Sequence, residues 1–455
     1  MAFLVYHLTA LGPTPFNGPV ILADAFLHGR LDISNGKDLY WMDWAVYKGK
    51  YYIVEPPMTA VVTLPGVILF GTALNQSLVS TVIGAINASA VHRLMRGLTD
   101  KLSSQVWLTL LFVFGTAYWW TATNGGIWYF AHTLGVLFLF LAIYETLIGK
   151  RPFTAGLLLG AAYQTRLPTI LTLPFFVIMF SDQWLQKDDG RPLLKRVDLK
   201  PLLLLGAGLG IFVVLGAIYN YLRFETPLHA SYYYWLTPDA PIRQDLLKEG
   251  LFDASYIPRH IPVVFRSLPI FQSKPPYVVA SWGGMAMWAT TPVFLYALFA
   301  GIRDKVIVRL GAILLFVTLA LFGLTARGLP SSDFAGHLDP PYGLEFYPFA
   351  FLIAYGLFAG IRHQNKLVVA CWSAIIPTAF VHFAVGVTGW PQFGYRFALD
   401  YYPFLFLLLV AAIGDRLKWH HKLLIVLSVM INFGGVLWTY HFEPSHYLGL
   451  QWVSW

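Results

Sequence analysis

Charge is scarce in this 455-residue sequence. Asp, Glu, Lys and Arg together make up 12%, against roughly 25% in soluble domains. That deficit, with 57% hydrophobic residues, excludes both an ordinary soluble enzyme and a disordered chain. Cysteine occurs once, at Cys371, so no internal disulfide forms and a stapled secreted scaffold is excluded. The motifs of soluble chemistry are missing too: no H-E-x-x-H, paired C-x-x-C, G-x-x-x-x-G-K or G-x-S-x-G occurs. Gly206-Ala207-Gly208-Leu209-Gly210 lies inside an apolar stretch. It reads as close helix packing through small residues rather than as a nucleotide loop, and Gly156 and Gly160 read the same way. The net charge of +8 is no evidence for a nucleic-acid partner, and none is expected.

What is present is length of apolar sequence. Runs of about 15–23 residues recur, and a helix needs about 20 residues to cross the hydrocarbon. Spans are expected at 78–92, 104–120, 126–148, 201–222, 285–301, 306–325, 344–361, 367–387, 397–414 and 423–440. A longer stretch, 153–180, is interrupted by Gln164-Thr165-Arg166-Leu167-Pro168. Two short helices meeting at a turn fit it best, since irregular backbone at that depth needs shelter from protein or a water-filled cavity. The expected class is an all-α polytopic membrane protein of about 11–13 membrane helices including a broken pair.

Orientation follows from Lys and Arg in short loops. Six loops, beginning with that of Arg93, Arg96 and Lys101, hold 18 of the 31 basic residues and fall on one side, assigned to the cytoplasm. Fifteen of the 23 acidic residues fall in or beside the opposite segments, which suits a site for neutral polar ligands there. The expected organisation is the end of a first membrane helix at 1–11, truncated or entered part-way, then a first outer loop with juxtamembrane helices at 12–75. A transmembrane bundle at 76–222, a long outer loop at 223–284, a second bundle at 285–440 and an outer-face tail at 441–455 follow. On this map 57–74 rests on the membrane surface; Pro65-Gly66 and Gly71 weaken it as a span, although a full helix there is the competing reading.

The first outer loop reads FNGPVILADAFLHGRLDI, then DWAVYKGKYYIVEPPMTAVVTLPGVILFG. A short helix, a G-K-Y-Y strand-like piece, E-P-P and an apolar helix ending in F-G follow one another. Residues 156–166 read GLLLGAAYQTR, and residues 389–403 read GWPQFGYRFALDYYP. Together with the broken helix pair, these pieces resemble the GT-C membrane glycosyltransferases, in the branch around bacterial aminoarabinose transferase, protein O-mannosyltransferases and the Rgt-type sugar transferases. The resemblance implies a GT-C-like fold in a bacterial-type cytoplasmic membrane, with the active face outside the cytoplasm. It implies inverting transfer of a sugar from a polyprenyl-phosphate donor to a lipid, glycan or protein acceptor. Membrane lipids are the other expected partners.

In active relatives an Asp opens the first-loop helix as the base. The matching position here is Asn17, and an amide cannot accept a proton at neutral pH. Asn17 therefore has a substrate-binding role or simply caps the helix before Gly18-Pro19. Asp24 is the nearest replacement base, and Asn17, Asp24 and His28 share one helix face by spacing. Asp32, Asp38, Asp43 and Glu55 are further candidates. Glu55 lies before Pro56-Pro57; it either binds substrate or pairs with Lys48 or Lys50.

For the departing phosphate two arginines are candidates, because the guanidinium is bidentate and permanently charged. Arg166 sits at the helix break, where a charge is expensive; it holds phosphate or satisfies freed carbonyls. Arg396, with Asp400 one turn on, holds phosphate or forms an intrahelical ion pair. His132 lines a sugar pocket, binds a metal with loop acids, or is merely hydrogen-bonded. No metal ligand is assigned, and no cofactor beyond the lipid-linked sugar. The segments HASYYYWLTP and SKPPYVVASWGG suit either a sugar or lipid pocket or an interfacial belt. The segment with Asp333, His337 and Asp339, and Glu345 just beyond, is either a mobile lid or an exposed loop. A non-catalytic scaffold binding a lipid-linked saccharide and a secondary transporter are the competing functions. The transporter lacks an obvious internal repeat.

Overall fold

The computed structural model describes residues 1–34, 36, 39, 43–186, 196–235, 248–271, 273, 277–281, 283–325, 346–389 and 392–438. It is 71% helical, and its strands among the described residues are segments of only two to four residues. The chain is an all-α polytopic membrane protein. Among the described residues, six helices are long and apolar enough to cross a bilayer: Gln76–Leu98, Ile127–Gly149, Leu199–Phe224, Lys305–Gly323, Lys366–Phe383 and Trp419–Leu437. A bent pair, Leu102–Phe114 with Tyr118–Asn124, makes a seventh if it is one crossing.

The remaining expected spans are shorter or broken. Residues 285–301 fold as one α-turn, Met287–Thr290, and a 3-10 helix, Pro292–Phe299. Pro292 lacks an N–H and pushes Thr291 out of the helical region, to φ −139°. Residues 397–414 start as a 3-10 helix, Arg396–Asp400, before the 12-residue α-helix Tyr402–Ile413. At about 1.5 Å per residue that α-helix falls short of the roughly 30 Å hydrocarbon. The segment 326–345, with Asp333, His337, Asp339 and Glu345, lies outside the described residues, as do Asp38 and the tail.

The chain forms two compact units, one from Met1–Ala90 and Thr121–Arg243, the other from Val91–Trp120 and Gln244–Tyr447. In the first, α1 (Ala2–Thr9) buries Tyr6. Asn17 sits at the N-cap of α2 (Gly18–Leu27). A hairpin follows, β1 (Trp44–Tyr47) against β2 (Lys50–Ile53), with Trp44 opposite Ile53. Its two-residue turn holds Lys48 at φ 48° and Gly49 at φ 75°, the left-handed pair whose twist matches the strands. The short helix α3 (Met58–Phe70) packs on α2 through Val20, Ala60 and Val67, while Val61, Ile68, Leu69 and Phe70 stay exposed.

The membrane part of this unit holds α4 (Gln76–Leu98) as far as Ala90, and α5 (Ile127–Tyr144), which continues into a π-turn, Glu145–Gly149. It also holds α6 (Pro152–Tyr163), α7 (Leu173–Met179) and α8 (Leu199–Phe224). The stretch around 164–172 is irregular, as expected: a 3-10 helix, Leu167–Thr172, links α6 to α7. The freed carbonyls find local donors. Thr165 Oγ1 donates to Ala161 O and Thr169 Oγ1 to Arg166 O, both at 2.8 Å. Glycines bring α6 and α8 close: a methyl on Gly208 would strike the Phe153 carbonyl, and one on Gly156 the Leu205 carbonyl. Gly206 and Gly210 have nothing within 4 Å, so the packing reading holds for the middle glycine of that run.

The second unit is organised around Lys366–Phe383, Tyr402–Ile413 and Trp419–Leu437, with Tyr402, Phe404 and Phe406 fully buried. Phe112 of Leu102–Phe114 meets Phe406 edge-on at 5.5 Å.

Candidate functional site

The loop between β2 and α3 is tied to distant parts of the first unit. Arg223 Nη1 donates to Ile53 O at 2.9 Å, and Ser231 Oγ donates to Val54 O at 2.8 Å. Three residues on, Met58 N–H donates to Gln164 O at 3.0 Å. The Glu55-Pro56-Pro57 segment is thus held at both ends, against the end of α8 and against the break after α6. The two prolines stiffen it further by fixing φ. Glu55 is 7% exposed. Its expected partners are engaged elsewhere: Lys48 bonds Glu225, and Lys50 Nζ bonds Asp32 Oδ1 at 3.2 Å. Those carboxylates in turn raise the ammonium pKa values of Lys48 and Lys50.

The other acids differ in setting. Asp43 accepts the Trp128 indole N–H at 2.8 Å on Oδ2 and the Trp235 indole N–H at 3.2 Å on Oδ1. It ties the start of β1 to α5 and to the turn after α8. Asp32 is held by Lys50. Asp24 lies on α2, partly exposed, with its carboxylate 3.6 Å from His28 Nδ1. That nitrogen bonds the Asp24 carbonyl at 2.8 Å, so His28 chiefly closes the last turn of α2 at the surface. Asn17 keeps the N-cap position, but its side chain makes no capping bond.

Arg166 lies at the helix break, as its place in sequence implies. Its stem rests on α5 where Gly135 leaves room: a methyl there would come within 3.3 Å of Arg166 Cγ. Fully buried His132 is one turn earlier on the same face of α5. The first unit therefore brings together Glu55, the break carrying Arg166, and the His132 turn of α5. The aromatic run after α8 is partly spoken for. Tyr234 lies against Tyr47 at 4.8 Å and Phe224 at 5.3 Å, and Val46 N–H donates to Tyr234 O at 2.9 Å. Tyr233, 90% exposed, is free to meet lipid or ligand.

Arg396 and Asp400 belong to the second unit, in a buried polar cluster. Asp400 Oδ2 lies 2.9 Å from His382 Nε2, both side chains 2% exposed, so the acid is paired with this histidine. The His382 ring stacks on Phe397 at 5.2 Å. Close by, His260 Nε2 bonds Val385 O and Nδ1 bonds Tyr395 O–H, each at 2.8 Å. A carbonyl only accepts, so Nε2 carries the proton and the phenol donates to Nδ1. Burial pushes the His260 pKa down to about 4, with the neighbouring His382 and Arg259 adding to the shift. Sequence reasoning passed over His260, His382 and Arg223. The available signal was an arginine in the last turn of an apolar helix, and histidines beside otherwise apolar helix ends.

No family model, curated protein or solved structure matches the chain. Among the described residues, no group of three or more His, Cys, Asp or Glu side chains is placed to hold a metal ion.

Proposed function

We propose that the chain is a GT-C-type membrane glycosyltransferase that moves a sugar from a polyprenyl-phosphate donor to an acceptor on the outer face of a bacterial-type cytoplasmic membrane. The observation that carries this reading is the placement of Glu55. It is a buried carboxylate on a backbone held at both ends, beside the broken helix pair that bears Arg166. In the reaction, Glu55 takes the proton of the acceptor hydroxyl. The acceptor oxygen attacks the anomeric carbon, the carbon–oxygen bond to phosphate breaks, and the phosphate leaves with the electron pair. Arg166 stabilises the charge on that phosphate, and His132 lines the sugar side. Asp32 and Asp43 position the loop through Lys50 and the two indoles; Asp24 is the alternative base.

A scaffold that binds the same lipid-linked saccharide without turnover is the second reading, favoured by Asn17 in place of the relatives' aspartate. A transfer assay in nanodiscs with labelled polyprenyl-phosphate sugars and membrane lipid extract separates the two. The expected result is label in a new product, lowered by a factor on the order of 10²–10⁴ in Glu55→Gln and retained in Asp24→Asn. The reverse pattern moves the base to Asp24. Saturable donor binding with no transfer supports the scaffold, and absence of donor binding overturns both.

A further inference from the structure

The last turn of α8 carries a buried cation with no anion paired to it among the described residues. Arg223 is 2% exposed. Nη1 donates to Ile53 O, and Nη2 donates to Asn220 Oδ1 at 3.0 Å. The guanidinium lies 3.9 Å from the Tyr219 ring centroid and 4.6 Å from that of Phe224. Among the described residues its Nε has no hydrogen-bond partner and no carboxylate pairs with it. The Tyr219 hydroxyl, one turn earlier, is buried and also without a partner.

Two neutral acceptors and two ring faces leave the positive charge uncompensated. A buried ion without a counter-ion is strongly destabilising, and arginine does not shed its proton. The open groups are Nε–H and a phenol O–H, both able to donate. The Nε edge of a guanidinium presents the fork that matches an oxyanion. A cation has no place there. The site also lies at the end of a membrane-spanning helix, where Tyr221 and Leu222 of the same turn are exposed. That is the level at which headgroup phosphates lie.

We propose that Arg223 and Tyr219 form a binding site for a phosphate oxyanion at the end of α8. It takes either the phosphate of a lipid or free phosphate, and entry shifts the segment carrying the exposed Leu228. The proposal does not rest on sugar transfer, because binding is read without turnover.

The test uses the purified chain in phosphatidylcholine nanodiscs, titrated with inorganic phosphate, phosphatidylglycerol or a polyprenyl monophosphate, with thermal shift and native mass spectrometry as readouts. Saturable binding of at least one probe is expected, raising the Tm. Arg223→Gln should weaken it at least about tenfold, and Tyr219→Phe by about two- to fivefold. Lys48→Gln, which removes an exposed surface charge, should leave it unchanged. Binding of inorganic phosphate as well as lipid marks a site for free phosphate, and binding of lipid alone marks a headgroup site. No saturable binding of any probe overturns the proposal, as does wild-type affinity in Arg223→Gln. If Arg223→Gln does not fold, Tyr219→Phe decides, since it deletes only a hydroxyl without a partner; unchanged affinity there overturns the site.

Discussion

Asp43 accepts two indole N–H groups from tryptophans 85 and 192 residues away in the chain. Hydrogen bonds to a charged acceptor are the stronger kind, and an indole left unbonded indoors is costly. Asp43→Ala should therefore lower stability by about 2 kcal/mol, read as a fall in Tm in detergent. Trp128→Phe and Trp235→Phe should each cost less. A double-mutant cycle with Asp43 should show coupling for both, and no coupling would make Asp43 free for another role. His260 gives a prediction in pH. Its folded pKa of about 4 lies below the ordinary value of 6.5. Between those values the unfolded chain binds a proton that the native state refuses. Stability is therefore retained above pH 6.5 and falls as pH drops towards 4, by up to about 1.4 kcal/mol per pH unit. His260→Gln should flatten that acid limb of the Tm profile.

Between helices, the α6–α8 contact depends on glycine at particular positions. Gly208 and Gly156 each face the other helix's backbone, while Gly206, two residues from Gly208, faces open space. Gly208→Ala should cost about 1–3 kcal/mol through overpacking, and Gly206→Ala should be neutral within about 0.5 kcal/mol. Equal melting of the two variants would mean that α6 and α8 separate more easily than their packing implies. The break after α6 has its own logic. Pro168 and Pro174 remove two N–H donors, and threonine hydroxyls with the Met58 N–H serve the carbonyls there. Apolar length and prolines announce that break in the sequence. The Met58 contact, which brings Glu55 to it, does not show there.

For the molecule as a whole, the basic loops should share one side of the membrane. The single native cysteine, Cys371, is buried, so introduced cysteines can be read against a silent background. In whole cells, Pro227→Cys should react with an impermeant maleimide from outside, and Asp100→Cys only after lysis. The opposite pattern would invert the proposed orientation and remove the outer-face reading of the Glu55 site.

Composition and the spacing of apolar runs by themselves determined that this is a helical membrane protein, where several of its long helices lie, and that residues 153–180 are broken. Those properties are local: the length of an apolar run and the positions of Pro, Gly and Arg suffice to read them. Among the described residues several expected crossings are shorter or broken helices, because an apolar run does not reveal whether it will be one helix. Residues 285–301 are apolar throughout yet fold as short turns around Pro292. Only the tertiary structure decided which polar groups meet. It gave Lys48 to Glu225 rather than Glu55, brought His382 to Asp400, and gave Asp43 to two distant tryptophans. It left Arg223 buried without an anion among the described residues. Those three pairings join residues distant in the chain, chosen by desolvation and geometry in the folded structure, and none of them appears in a short window of sequence.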